Sequence, residues 1–275
     1  MNFDKIKSFF TYNYYAQKFL GILFIFALRE NIWKLKNYFF KERFKLSFNE
    51  KSFKGWSIIF LTTTLDKNIF KNIVSYKKIF KNTKYEIIII CDRSKIKTFN
   101  QKKFKVVNLN SSDFTLGFKR NLGIANCKYR NIFMSLDYTI PIKINLKNLN
   151  KEIEKYDLIC PRLLTIDKHR YLDWMYIDLP MIGKSFAPYN LKNTSYMYFH
   201  GTTYIFKKKF INKNLFSNFL DNKEGEDVNW SLKIRKSCLA KASSNIILRV
   251  KRKAIDNTVL NNKFFRENNN KLKYI

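Results

Sequence analysis

The sequence predicts an α/β protein built on a parallel sheet, and three observations carry that prediction. Between Trp56 and Leu136, short continuous apolar runs alternate with segments whose apolar residues recur at helical spacing. Only 7 Gly and 4 Pro occur in 275 residues, too few for a turn-rich all-β chain or a disordered one. Hydrophobic residues make up 46%, with 27 Phe and 16 Tyr, enough to fill one sizeable core.

Residues 1–50 read as an N-terminal extension, amphipathic, aromatic and basic. Its apolar run, Phe19 to Leu28 between Lys18 and Arg29, is half the length a bilayer span needs, which is about 20 residues. No A-x-A-like cleavage site follows, which speaks against a signal-peptide core. Trp33, Lys34, Tyr38, Phe39, Phe40 and Arg43 then suit two readings equally: a helix in the interface of an anionic membrane, or a helix packed on the main domain.

From Trp56 the pattern changes. Trp56–Thr62 is a continuous apolar run, hence a buried strand. Asp66 can cap the next segment, where Ile69, Phe70, Ile73, Val74, Tyr76 and Phe80 mark a helix. Tyr85–Cys91 and Phe104–Leu109 read as two further strands, 114–126 as a helix and 131–136 as a strand. This order implies parallel strands joined by right-handed crossovers. Beyond Asp137 the alternation breaks. A helix is expected over 145–155 and a strand at Asp157–Pro161, ended by its proline. Residues 165–198 look like an irregular, aromatic-rich loop, and a loop of that length is usually functional. Gly201–Phe206 reads as a strand, Gly225-Glu226-Asp227 opens a helix, and Ile246–Val250 is a late strand. The main domain is thus 51–255, followed by a basic, Asn-rich tail over 256–275.

The net charge is +32, from 53 Lys and Arg against 21 Asp and Glu. Abundant Lys, Asn, Ile, Phe and Tyr together are what A/T-rich coding produces, yet such a surface still attracts polyanions such as phosphates, anionic lipids or nucleic acid. Nucleic acid ranks last, because no recognisable binding motif accompanies the charge. The four cysteines, Cys91, Cys127, Cys160 and Cys238, lack C-x-x-C spacing, and only His169 and His200 could join them. A zinc site is therefore not indicated, and Cys91, Cys127 and Cys160, in or beside apolar runs, fit reduced core thiols of a cytoplasmic protein.

The chemistry concentrates in Gly117–Thr139. A basic helix (Lys119, Arg120, Lys128, Arg130) feeds a buried strand that ends on Asp137, and α/β sheets bind ligands beyond their strand C-termini. Asp92 and the Glu226–Asp227 pair also mark the ends of apolar elements. Each acid has a plain structural alternative, as a turn former or as a complement to a helix dipole worth about 0.3–1 kcal/mol.

In order and spacing, residues 56–250 resemble the family 2 glycosyltransferases. Trp56–Thr63 is similar to that family's first strand and nucleotide loop. Ile87–Ser94 is similar to its second strand, with Asp92 matching the acid that contacts the base. Lys119-Arg120-Asn121-Leu122-Gly123-Ile124-Ala125 resembles its A-R-N-x-G-I-x segment. His200-Gly201-Thr202-Thr203 to Lys208 resembles the acceptor-side strand, and Gly225-Glu226-Asp227 the E-D motif. The resemblance implies a GT-A, Rossmann-like fold with a mixed central sheet flanked by helices. It also implies an inverting transferase moving a sugar from a nucleotide-sugar donor to a hydroxyl of a cell-surface glycan or lipid-linked acceptor.

On that resemblance, Asp227 is the catalytic base and Glu226 orients the base or the acceptor. Thr62, Asp92, Lys119, Arg120, Asn121 and Asp137 bind the donor, and Trp174, Gly201 and Thr202 the acceptor. Asp137 with Thr139 would hold Mg²⁺ or Mn²⁺. Here the family's D-x-D reads Asp137-Tyr138-Thr139, so a hydroxyl stands where an acid is expected and the metal site is weakened. His200 reads as a hydrogen-bonded structural residue. The expected location is the cytoplasm, peripheral to the inner face of the plasma membrane. The alternative is a catalytically degenerate member of the same fold, acting as a binding or scaffold protein in glycan assembly.

Overall fold

The computed structural model describes residues 46–48, 51–65, 67–94, 104–112, 114–178, 183–192, 194, 197–218, 220 and 225–251. Most of the N-terminal extension, the Asp66 cap and the Asn-rich tail lie outside the described residues. In chain order the elements are β1 (Phe53–Leu65), α1 (Lys67–Phe80), β2 (Tyr85–Ser94), β3 (Phe104–Asn108), α2 (Leu116–Ala125), β4 (Tyr129–Leu136), β5 (Thr139–Ile144) and α3 (Leu146–Lys155). There follow β6 (Leu158–Leu164), β7 (Trp174–Asp178), β8 (Gly183–Phe186), β9 (Met197–Phe199), β10 (Thr203–Lys207), α4 (Lys208–Asn212), α5 (Glu226–Ile234) and β11 (Ala240–Val250). No described helix is long and apolar enough to cross a membrane.

Eight strands form one mixed sheet in the order β3-β2-β1-β4-β10-β6-β11-β5. β3, β2, β1 and β4 are parallel, as the sequence predicts, while β10 runs antiparallel to β4 and β6, and β5 antiparallel to β11. Both faces of β1 are covered, so Trp56 to Leu61 are all buried and alternate between two cores. Ile58 and Phe60 join the core over α1 and α3, where Trp56–Phe80, Phe60–Tyr76 and Tyr76–Phe133 meet edge to face at 5.6, 5.0 and 5.3 Å. Ile59 and Leu61 join the opposite core with Ile124 of α2, Ile211 of α4 and Trp230 of α5.

The segment expected to be an irregular loop instead contains a second sheet, ordered β8-β7-β9. A buried knot ties it to β6: Asp173 accepts from Arg170 Nε, Trp174 N, Leu163 N and the Tyr189 hydroxyl, at 2.6 to 3.1 Å. Short polar-flanked strands paired only to one another carry little period-2 signal, which is why the sequence pattern conceals them.

The large sheet curls. Only Asp137 and Tyr138 separate β4 from β5, yet β5 pairs at the far edge with β11, Thr139 facing Val250. The edge therefore returns to the end of β4, and Lys251 N donates to the Tyr138 carbonyl at 2.9 Å.

Candidate active site

The strand order reverses at β1. From it the chain winds through β2 and β3 to one side, then returns to β4 on the other. Such a switch point opens a crevice beyond the strand C-termini. Thr62 and Asp137 meet there: the Thr62 hydroxyl lies 2.7 Å from Asp137 Oδ2, and Asp137 N donates to Leu61 O at 3.2 Å. Asn72 of α1 fixes the turn from behind, Nδ2 donating to the Asp137 carbonyl at 2.7 Å. Asp137 is half-buried, and among the described residues its Oδ1 takes no hydrogen bond.

Asp92, at the end of β2, pairs with Lys119 Nζ of α2 at 2.7 Å, both side chains nearly buried. The two expected donor contacts therefore neutralise each other beside the crevice.

Arg120 and Asn121 are placed differently from the sequence expectation. Helix α2, whose first turn is capped by the Thr115 hydroxyl accepting from Phe118 N, turns both into the interior. Arg120 is fully buried. Nη2 donates to Gly201 O at 2.6 Å, Nε pairs with Glu226, and the guanidinium lies over the Tyr204 and Phe216 rings at 5.1 and 5.2 Å. It cannot meet a diphosphate. Asn121 exchanges hydrogen bonds with the Phe216 backbone and donates to Asn218, holding the 214–218 segment against α2.

Thr139 is a correction of the same kind. It is fully buried, its hydroxyl donating to Leu136 O at 3.0 Å beside Ser135 and Tyr76, so it turns into the core rather than the crevice. Trp174 is also wholly buried, Nε1 donating to Pro188 O at 3.1 Å, and offers no face to a sugar. Among the described residues no group of three or more His, Cys, Asp or Glu side chains could hold a metal. A site completed by substrate oxygens around the single Asp137 carboxylate remains compatible with Mg²⁺ or Mn²⁺, since Mg²⁺ is commonly held by one or two carboxylates plus phosphates.

The residues expected on the acceptor side, Gly201 and Thr202, meet the end of β4 where β10 starts. Leu136 N donates to Thr202 O at 3.0 Å, and the Tyr138 hydroxyl, Thr202 Oγ1 and His200 Nδ1 line up at 3.4 and 2.8 Å. Asp227, in the first turn of α5, is clamped to this turn: its Oδ2 accepts from the Tyr198 hydroxyl at 2.6 Å and from Gly201 N at 3.0 Å. Burial and the Asp227 charge hold the Tyr198 hydroxyl well above its usual pKa, so it stays a donor. Gly201 permits the close approach, because a Cβ there would lie 2.8 Å from Arg120 Nη2 and 3.1 Å from Asp227 Oδ2. Gly225 starts α5 in a left-handed conformation (φ 75°) that favours glycine.

Glu226 points inward to Arg120. Burial pushes its carboxyl up to about 7, Arg120 pulling it down and Asp227 pushing it up. The guanidinium, by contrast, is held charged by Glu226 against its burial. These directions oppose one another, and with a permanently charged guanidinium in contact the ionised carboxylate is the form that satisfies the pair. Sequence reasoning missed Tyr198 as the residue that fixes Asp227; its place just before His200-Gly201 is the signal that could have found it.

No family model matches the sequence, and no curated protein matches it significantly. Solved structures do. S. aureus TarS 1–349 in complex with UDP-GlcNAc aligns with a TM-score of 0.55 and 17% identity, over 75% of this chain and 60% of that one. A second structure of S. aureus TarS 1–349 gives 0.54 and 17% over 72% and 60%. GalNAc-T7 with UDP, GalNAc and Mn²⁺ gives 0.54 and 12% over 74% and 45%. The chain thus spans about 60% of the length of the TarS fragment it matches. The likeness shows a GT-A glycosyltransferase-like fold, as expected from the sequence.

Proposed function

We propose that the protein is an inverting glycosyltransferase, transferring a sugar from a nucleotide-sugar donor to a hydroxyl of a cell-surface glycan or lipid-linked acceptor. The observation that carries this reading is Asp227: a carboxylate fixed by two donors on one oxygen, at the rim of a switch-point crevice with Asp137. The UDP-sugar and UDP found with the solved structures of similar fold support a nucleotide-sugar as the donor.

The chemistry follows from the acids. Asp227 takes the proton of the acceptor hydroxyl as its oxygen bonds to the anomeric carbon. The bond from that carbon to the diphosphate breaks on the opposite side, and the nucleoside diphosphate leaves with the electron pair. Inversion follows from the single displacement. Thr62 and Asn72 hold Asp137 at the diphosphate side, and the Lys119–Asp92 pair lines the nucleotide side. A Mg²⁺ or Mn²⁺ held by Asp137 together with the donor would supply Lewis-acid stabilisation of the leaving diphosphate.

A second reading, a glycan-assembly protein of this fold that binds without transferring, is favoured by the inward turn of Thr139. Asp227→Asn separates the two. Under the transferase reading it lowers turnover of the nucleotide-sugar by at least about 100-fold while UDP binding and the melting temperature are kept. Full turnover in the variant removes Asp227 from the role of base, and no turnover by the wild-type chain with UDP binding intact favours the second reading. Peripheral placement on the inner face of the plasma membrane is part of the same proposal, supported by the net charge of +32.

A further inference from the structure

Two arginines stand outside every role described so far. Arg162 lies on β6 and Arg249 on β11, which pair in parallel with Ile247 opposite Arg162 and Arg249 opposite Leu164. That register puts both side chains on one face, as diagonal neighbours on adjoining strands. Their neighbours Leu163, Leu248 and Val250 occupy the other face, in the core over α1 and α3. Each guanidinium has an Nε sealed from solvent without an acceptor, and among the described residues neither guanidinium makes a hydrogen bond or an ion pair. Arg162 is nonetheless held in place, its guanidinium 4.2 Å over the Tyr189 ring, whose hydroxyl donates to Asp173 at 2.7 Å. Asp173 does not neutralise it, because both its oxygens are already taken by four other donors.

Sealed cationic donors without an acceptor are costly, and an arriving anion relieves that cost. The guanidinium fork matches phosphate geometry, and two forks on one face can share a single tetrahedral anion. Position assigns the anion to the acceptor rather than the donor. β6 lies on the side of β10 away from β1 and β2, the strands whose ends carry Thr62 and Asp92.

We propose that Arg162 and Arg249 form a phosphate subsite for the acceptor, so that the sugar is placed on a phosphate-bearing molecule, either a soluble phosphoglycan or a phospholipid-anchored one. Assignment to the acceptor rests on the glycosyltransferase reading; the anion site itself does not. The test is binding rather than turnover. The full chain is titrated with glycerol phosphate, and separately with UDP, at constant ionic strength, following the melting temperature.

The Arg162→Gln/Arg249→Gln variant is expected to bind glycerol phosphate at least roughly tenfold more weakly, with the UDP response unchanged. A Lys71→Gln/Lys78→Gln variant, which removes two exposed charges elsewhere, is expected to bind it normally. Unchanged affinity in the arginine variant, equal loss in the lysine control, or simultaneous loss of the UDP response each overturns the proposal. If the double variant does not fold, Arg249→Lys, which keeps the charge and loses the fork, must show the weakening. Sedimentation with phosphatidylglycerol and phosphatidylcholine vesicles distinguishes the sources. Arginine-dependent binding to the first alone indicates a lipid-borne phosphate, and arginine-dependent binding of glycerol phosphate only indicates a soluble glycan. A wild-type chain that binds glycerol phosphate but not UDP counts against the transferase reading and leaves the anion site standing.

Discussion

At Thr139 a single side chain decides what the end of β4 can hold. The position matches the second acid of a D-x-D motif, and the sequence suggests a weakened ligand there. The structure gives a stronger answer, because the residue turns away from the crevice into a hydroxyl network with Ser135 and Tyr76. Restoring the acid therefore should not restore a metal site. Thr139→Asp puts an unpaired carboxylate in a closed core and should cost at least about 2–3 kcal/mol in urea denaturation, with no gain in Mn²⁺ affinity by electron paramagnetic resonance. Tighter Mn²⁺ binding by a stable variant would show that the side chain can turn outward.

Between elements, the decisive contact joins α2 to α5. Arg120 spans from one helix to Glu226 of the other and to Gly201 between them, so the first turn of α5, which carries Asp227, is set by a residue more than a hundred positions earlier. Removing one partner of a buried pair leaves an uncompensated charge. Arg120→Met should destabilise the fold by about 3–5 kcal/mol, and Arg120→Met/Glu226→Leu should recover much of the loss in a double-mutant cycle. Additive single effects would mean that the pair is not coupled. This contact also marks the limit of what the sequence shows. The parallel strands, α1 and the placement of Asp137 and Asp227 are legible, because continuous apolar runs and helical periodicity are local signals. Lys119 and Arg120 are adjacent in the sequence and equally basic, yet one reaches Asp92 and the other Glu226. Neither that division nor the burial of Trp174 is local: both follow from which elements meet across the sheet.

For the molecule as a whole, the two halves of the crevice are one sheet. β11 has β6 on one side and β5 on the other, so it closes the curl that returns Tyr138 to Lys251. A proline in such a strand removes a ladder donor and forces its neighbours apart. Leu248→Pro should therefore broaden the thermal transition and, under the proposed transferase reading, weaken UDP protection as well, although residue 248 belongs to neither the β1 nor the β2 end. A sharp transition with intact UDP protection would show that the donor half stands alone. The curl also has a consequence in time. The strand that seals β5, the neighbour of the Asp137 turn, ends at residue 250, more than a hundred residues after that turn is made. Local α/β units can collapse as they emerge, whereas this closure is a long-range pairing that waits for about a hundred further residues and comes at an entropic cost. The nascent chain therefore carries an open β5 edge while about a hundred further residues are made, and the step that completes the crevice comes late in folding.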